Sequence, residues 1–235
     1  FQSQTHSLLG SDLVGWWNFN DGDARDISGY GNHGTIFGAV HVDGVPGMAG
    51  YALKFHGTGT VDYVISDDRP DLLSLVTYSG WFKVDDFTNS WGSAFGNFRH
   101  SGGSTGANFI PRKGSIRVCT GDNTGSYSSS RNCTLSFNDN SIRIGEWIHG
   151  VLVHDPPNFE VFINGQSLGA QQHDVVDILD HTNTHILAGK WSSTYDSYPF
   201  NGLIDDVRIY SRALTGQEIQ TLYAQTKDRY LVKGN

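Results

Sequence analysis

The chain has 235 residues, 37% of them hydrophobic and 12% aromatic, a composition that excludes a disordered segment and is long enough to bury a two-sheet core. Its formal net charge of −8 argues against nonspecific binding to nucleic acid or to anionic membranes, both of which need a basic face. No apolar run approaches the roughly 20 residues of a membrane-spanning helix.

Residues 1–12 read as an N-terminal extension, and the start at Phe1 as the removal of a signal peptide or upstream domain. LVGWWNF (13–19) alternates as an early strand. DGDARDISGYGNHG (21–34) is too rich in Gly, Asp and Asn for a strand or helix and reads as an ordered loop. YALKFHG (51–57) and VDYVIS (61–66) are expected to pair as a hairpin across GTGT. VTYSGWFKVD (76–85) is a strong strand, and SIRVCTG (115–121) pairs with the segment after Cys133. EWIHGVLVHD (146–155) and FEVFINGQSLG (159–169) form a hairpin with Pro156 and Pro157 in the turn. THILAGKW (184–191) and NGLIDDVRIYS (201–211) complete the sheets.

ALTGQEIQTLYAQ (213–225) is the one helix, with Thr215 as N-cap and Glu218 three residues on as a capping box. Ile219, Leu222 and Tyr223 share its apolar face. Residues 226–235 read as a tail or linker. About a dozen strands with almost no other helix predict an all-β fold: a two-sheet antiparallel β-sandwich of jelly-roll type over 13–225, with one short C-terminal helix. In 146–155, Trp147, His149, Val151 and Val153 face one way while Ile148, Leu152 and His154 face the other. That strand is either central and covered on both faces or carries a concave binding face.

Cys119 and Cys133 are the only cysteines, and they flank the polar stretch TGDNTGSYSSSRN. A disulfide closing this loop is expected, worth about 3 kcal/mol in the chain-entropy picture, and it places the protein in an oxidising, extracellular compartment. The alternative is two unpaired thiols.

Several segments together resemble the laminin-G-like domains of the concanavalin A-like lectin/glucanase superfamily. LVGWWNFNDG with DISGYGNHGT resembles that family's opening, and YALKFHGTGTVDYV its second signature. TYSGWFKVD, GEWIHGVLVHD, FINGQSLG and FNGLIDDVRIYSRALTGQEI follow in family order, so the resemblance covers roughly 13–224. It departs over 91–135, which is longer and more basic than the pattern. The resemblance implies a concanavalin A-like jelly roll, often with a structural calcium ion, and does not itself imply catalysis.

Calcium takes six to eight oxygen ligands, best offered by a sharply turning loop. The loop 21–34 offers Asp21, Asp23, Asp26 and Asn32, with glycines that let carbonyls turn inward. In LIDDVRIY, strict alternation places Asp205 on one face with Leu203, Val207 and Ile209, where a bare carboxylate is costly. Asp206 then points the other way with Arg208. The resemblance places the ion between the early loop and this late strand, with Asp26 and Asp205 as side-chain ligands and contributions from Asn20, Asp21, Gly31 and His33. The alternative is a loop held by Asx-turns, with Asp205 bonded to backbone.

No catalytic residues are assigned. Glycosidases on this fold need paired carboxylates about 5 Å apart, and Glu146, Glu160 and Glu218 make no such pair. A polysaccharide lyase would recruit His149 or His154 with Arg117, Tyr127 and Arg131. His181 and His185 have a helical zinc spacing in a segment that does not read as a helix.

Carbohydrate sites pair aromatic faces with planar polar groups. Trp91, Phe95, Phe98, Arg99 and His100 form one loop cluster, and Trp191, Tyr195 and Tyr198 a second. The basic stretch with Arg117 and Arg131 suits an anionic glycan, because a guanidinium binds carboxylate or sulfate bidentately. The expectation is a non-catalytic carbohydrate-binding module of a secreted multidomain protein, with a polysaccharide or glycan and other domains of its parent as partners. The rival expectations are a protein-binding adhesion or spacer domain and a polysaccharide lyase.

Overall fold

The computed structural model describes residues 10, 12–44, 50–57, 62–66, 75–88, 91–96, 99–100, 104–122, 135–173, 185–189 and 199–231. The strands among them are, in chain order, β1 (Leu13–Trp17), β2 (Gly34–Phe37), β3 (Val40–Asp43), β4 (Tyr51–His56), β5 (Tyr63–Ser66), β6 (Val76–Val84), β7 (Phe95–Gly96), β8 (Arg99–His100), β9 (Ser104–Arg112), β10 (Ser115–Asp122), β11 (Leu135–Asn138), β12 (Trp147–Asp155), β13 (Asn158–Ile163), β14 (Gln166–Gln172), β15 (His185–Ala188) and β16 (Asn201–Tyr210). Helix α1 (Gly216–Tyr230) follows.

The first sheet runs β14-β13-β12-β6-β16-β4-β3, with β1 also paired to β16. The second runs β11-β10-β9-β7-β15-β5-β2, with β8 on β9. Every pairing is antiparallel. Phe55, Phe82, Ile148, Leu152, Ile204 and Val207 from the first sheet pack on Val64, Phe95, Phe109, Ile116, Val118 and Phe137 from the second. This is the expected sandwich. A Cβ at Gly150 would stand 2.7 Å from the Phe109 ring and 2.9 Å from the Phe82 ring. The bare glycine on β12 therefore lets Phe109 of the other sheet come close.

The other face of the first sheet lies under α1. Ile219 and Leu222 join Val151, Val153, Phe162, Tyr210 and Leu214 in one cluster, and Tyr230 joins Ala52, Trp81, Trp147 and Leu203 in another. Burying each of these helix side chains contributes about 1.5–3 kcal/mol. β12 is thus covered on both faces, and its side chains alternate as its sequence predicts. The capping box is present, with Thr215 accepting from the Glu218 N–H and Glu218 accepting from the Thr215 backbone.

Three expectations change. YALKFHG and VDYVIS do not pair: β4 lies in the first sheet, between β3 and β16, and β5 in the second, between β2 and β15. The connection crosses between sheets. The helix also runs to Tyr230, so residues 226–230 are helix rather than tail. Finally, β16 does not alternate strictly. Its register on β6 shifts between Asp205 and Arg208, and Asp206 has a φ of 51°. This bulge sits where the neighbour of β16 changes from β4 to β1. It puts Val207 and Ile209 in the inter-sheet core while Leu203 faces the helix side. Asp205 and Asp206 then both point away from that core, Asp205 to Tyr230 and Asp206 to Trp16.

Candidate functional site

The outer face of the second sheet carries the charge that the sequence places in the middle of the chain. β9 and β10 form a hairpin in which Arg112 faces Ser115 and Ile110 faces Arg117. Alternation puts Ile110, Arg112, Arg117 and Cys119 on the side opposite the core. Trp91, from the segment between β6 and β7, folds onto this face and packs on Ile110 and Cys119, both fully buried. The guanidinium carbon of Arg117 lies 4.7 Å from the Trp91 ring centroid, and that of Arg112 lies 5.6 Å away. Both are within cation–π range.

Neither arginine is paired with a carboxylate among the described residues, and Arg112 Nη1 is buried without a hydrogen-bond partner. Burial, followed by the neighbouring Arg112 charge, pulls the Arg117 guanidinium below its usual range. Among the described residues, two guanidiniums thus lie against one indole with no carboxylate beside them. Trp91 and Arg117 were expected here. Arg112 belongs to the same basic stretch of the sequence and stands at the mouth of the tight turn at Lys113-Gly114, where hairpin register makes it the diagonal neighbour of Arg117, whereas Phe95 of the expected aromatic cluster is buried in the inter-sheet core.

Arg99 lies on β8, paired with Thr105, and its side chain is outside the described part of the structure. Phe98, Arg131, Trp191, Tyr195, Tyr198 and Cys133 also lie outside the described residues.

Asp26 is 4% exposed and organises the early loop. Its Oδ1 accepts from the Trp16 N–H at 2.9 Å and the Ser28 N–H at 2.8 Å. Its Oδ2 accepts from the Ser28 hydroxyl at 2.8 Å and the Asn32 N–H at 2.9 Å. Those four bonds use the carboxylate's acceptor positions. His33 Nδ1 accepts from the Asp26 N–H at 3.2 Å, while Asp21 is exposed and Gly31 takes a φ of 78°.

Asp205 is reached from α1. Its Oδ1 accepts from the Asp206 N–H at 2.7 Å, and its Oδ2 accepts from the Tyr230 hydroxyl at 2.7 Å. Arg229 Nη2 lies 3.1 Å from the same Oδ2 and donates to Asn20 Oδ1 at 2.5 Å. Two of the expected calcium ligands, Asn20 and Asp205, thus meet around one guanidinium nitrogen. Only glycine serves at Gly50 beside them, since its φ is 127° and a Cβ would stand 2.6 Å from Arg229 Nη2. Among the described residues no group of three or more His, Cys, Asp or Glu side chains is arranged to hold a metal. The donor set as arranged does not fit a calcium ion shared by Asp26 and Asp205.

His149 is buried between β12 and α1, its ring 5.2 Å from that of Trp81. Its Nε2 lies 2.9 Å from the Ser79 hydroxyl, and burial pushes the imidazole down to about 3. His154 stacks on Phe159 inside the sandwich. Arg117 belongs to the other sheet's outer face, so the histidines and the arginine do not converge. Tyr127 and His181 lie outside the described residues. Glu218 caps α1 and pairs with Arg212, while Glu160 bonds the Ser167 hydroxyl.

Residues 58–220 match the concanavalin A-like lectin/glucanases superfamily, and the chain belongs to it. No curated protein matches the sequence. Among solved structures, the chain is similar to domain 4 of AbnA, an extracellular arabinanase of family GH43 from Geobacillus stearothermophilus, solved in complex with arabinotriose. The TM-score is 0.71 at 23% identity, covering 90% of this chain and 98% of that one. It is also similar to the botulinum neurotoxin serotype D binding domain, with a TM-score of 0.69 at 16% identity over 95% of this chain and 53% of that one. The same toxin domain in complex with N-acetylneuraminic acid gives a TM-score of 0.69 at 16% identity, covering 94% and 53%. The chain spans about half the length of these toxin domains. At such identities the likeness shows the fold.

Proposed function

We propose that this domain binds carbohydrate on the outer face of its second sheet, and that its ligand is an anionic glycan. The observation that carries the reading is the Arg112–Trp91–Arg117 cluster: two guanidiniums on one indole with no carboxylate partner among the described residues. A carboxylate or sulfate on a sugar ring supplies the missing charge, and the indole gives the ring a flat apolar neighbour. Two structures of the same fold are complexes with arabinotriose and with N-acetylneuraminic acid, the second of which is an acidic sugar. The domain acts without catalysis, as a module of a secreted polysaccharide-handling protein. Secretion would let Cys119 pair with Cys133, a reading supported by the lack of a free thiol among the described residues. We also infer that Arg229 takes the place where the family resemblance implies calcium.

The test is a glycan panel containing oligogalacturonides, chondroitin sulfate oligosaccharides and neutral arabino-oligosaccharides, screened with the native chain and with Arg117→Ala. The acidic series should bind, weaken with added salt, and lose roughly tenfold or more in affinity on the substitution. Preference between the carboxylated and sulfated series names the anion. Equal binding by the variant overturns the site. A blank panel moves the outer face to a protein partner.

A further inference from the structure

A second aromatic group stands in line with this cluster. Phe37 on β2 faces Tyr63 on β5, and the rings stack with centroids 4.7 Å apart at 15°. Phe37 is 39% exposed, whereas its neighbour Ile36 packs against the core. Alternation therefore puts the stacked pair on the outer face of the second sheet.

Register fixes where the pair lies relative to Arg117. Val64 faces Ala188, Ala188 faces Phe95, Phe95 faces Phe109 and Phe109 faces Val118, a straight row of core residues across five strands. Because every pairing is antiparallel, one step back from Val64 on β5 matches one step forward from Phe109 on β9 and one step back from Val118 on β10. The adjoining row therefore holds Phe37, Tyr63, Ile110 and Arg117. Between them, Gly189 and Ala94 lie just past the ends of β15 and β7 and face the inter-sheet core: a Cβ at Gly189 would meet the Phe55 ring, and Ala94 is buried among the core residues, so neither puts a side chain on the outer face. Arg117 and Tyr63 stand four inter-strand steps apart, roughly 19 Å, further than a disaccharide reaches.

We propose that Phe37 and Tyr63 form a distal stacking subsite for the same anionic polysaccharide, whose chain runs across the strands from the Arg112–Trp91–Arg117 cluster. This rests on the glycan-binding reading above. The arginines take the acidic group, and the stacked pair takes the apolar C–H face of a sugar further along. The register thus selects a polymer over a single sugar.

The experiment compares galacturonate dimer and hexamer, and chondroitin sulfate dimer and hexamer, on the native chain, Phe37→Leu, Phe37→Tyr and Arg117→Ala. Leucine keeps the apolar bulk and hence the fold, which a thermal melt verifies, but removes the ring. Phe37→Leu should weaken hexamer binding roughly five- to tenfold and leave the dimer unchanged, while Phe37→Tyr restores the hexamer. Arg117→Ala should weaken both lengths. If Phe37→Leu leaves hexamer affinity at the native value while Arg117→Ala reduces it, the distal subsite is wrong and the arginine site stands. If neither substitution matters, or no acidic oligosaccharide binds, the glycan reading itself falls.

Discussion

Arg229 joins two of the residues that the family resemblance expects around an ion. Asn20 from the early loop and Asp205 from β16 both hold its Nη2, so a fixed cation ties loop, sheet and helix together. Asp26 holds its own loop through hydrogen bonds to Trp16, Ser28 and Asn32 and needs no cation to do so. The melting temperature of the native chain should therefore be the same in calcium and in EDTA. In Arg229→Gln the guanidinium charge beside the buried Asp205 is gone, and above pH 7, where that carboxyl is ionised, the melt should fall by several degrees. The freed oxygens should then make that variant, unlike the native chain, more stable in millimolar calcium. A calcium-dependent shift in the native chain would show that an ion displaces Arg229 and would defeat this reading. The family resemblance put Asn20 and Asp205 around one ion, and the structure puts them around one guanidinium nitrogen. The sequence could not supply the cation, because Arg229 lay in a segment read as tail, and nothing local in KDRYL says that it reaches back to the sandwich.

Among the elements, α1 is the one whose outer turns change the domain's boundary. Thr226 accepts a hydrogen bond from Trp81 Nε1 at 3.1 Å, and the Tyr230 ring stacks on Trp81 with centroids 4.2 Å apart. Ending the chain at Gln225 removes both contacts and uncovers Trp81 and Trp147. The loss should resemble truncating a large core side chain, about 3–5 kcal/mol, and urea unfolding should show it as a lower midpoint. An unchanged midpoint would make 226–235 the linker that the sequence first suggested. The same contrast governs the rest of the fold. β6, β12, β13, β16 and the capped helix were legible because alternation and capping are local signals. The separation of β4 from β5 was not, because an inward-facing apolar row looks alike in either sheet. β9 was hidden by its Gly106 and Pro111, residues that argue against a strand. The bulge at Asp206 escaped for a similar reason: one left-handed residue reverses the face of everything after it, and the letters of LIDDVRIY do not record a φ. On the outer face of the second sheet, Trp91 and Arg117 were legible as an aromatic and a charge in a polar stretch, whereas nothing local singled out Phe37 before register aligned it with them.

Over the whole molecule, the helix-covered face buries two titrating groups whose effects on stability oppose each other. Burial pushes His149 down from 6.5 to about 3, so the folded state prefers the neutral ring. Its contribution is complete above 6.5 and is lost as the pH falls toward 3. Burial also pushes Asp205 up from 3.8 to about 7, outweighing the Arg229 guanidinium, so the folded state prefers the protonated acid. That contribution is complete below 3.8 and is lost as the pH rises toward 7. Glu218, held down to about 2 chiefly by its bonds to Arg212, begins to cost stability only below its ordinary 4.5. Between 4.5 and 6.5 the two buried groups thus act alone among these three. Each changes stability by about 1.4 kcal/mol per pH unit, with opposite signs. The native chain should therefore show a nearly flat unfolding free energy across that window in urea titrations. His149→Gln removes the rising component, and its stability should fall as the pH is raised. Asp205→Asn removes the falling component, and its stability should rise with pH. If both variants keep the native flat profile, the two buried groups do not titrate in opposition, and the packing of α1 is independent of their charge.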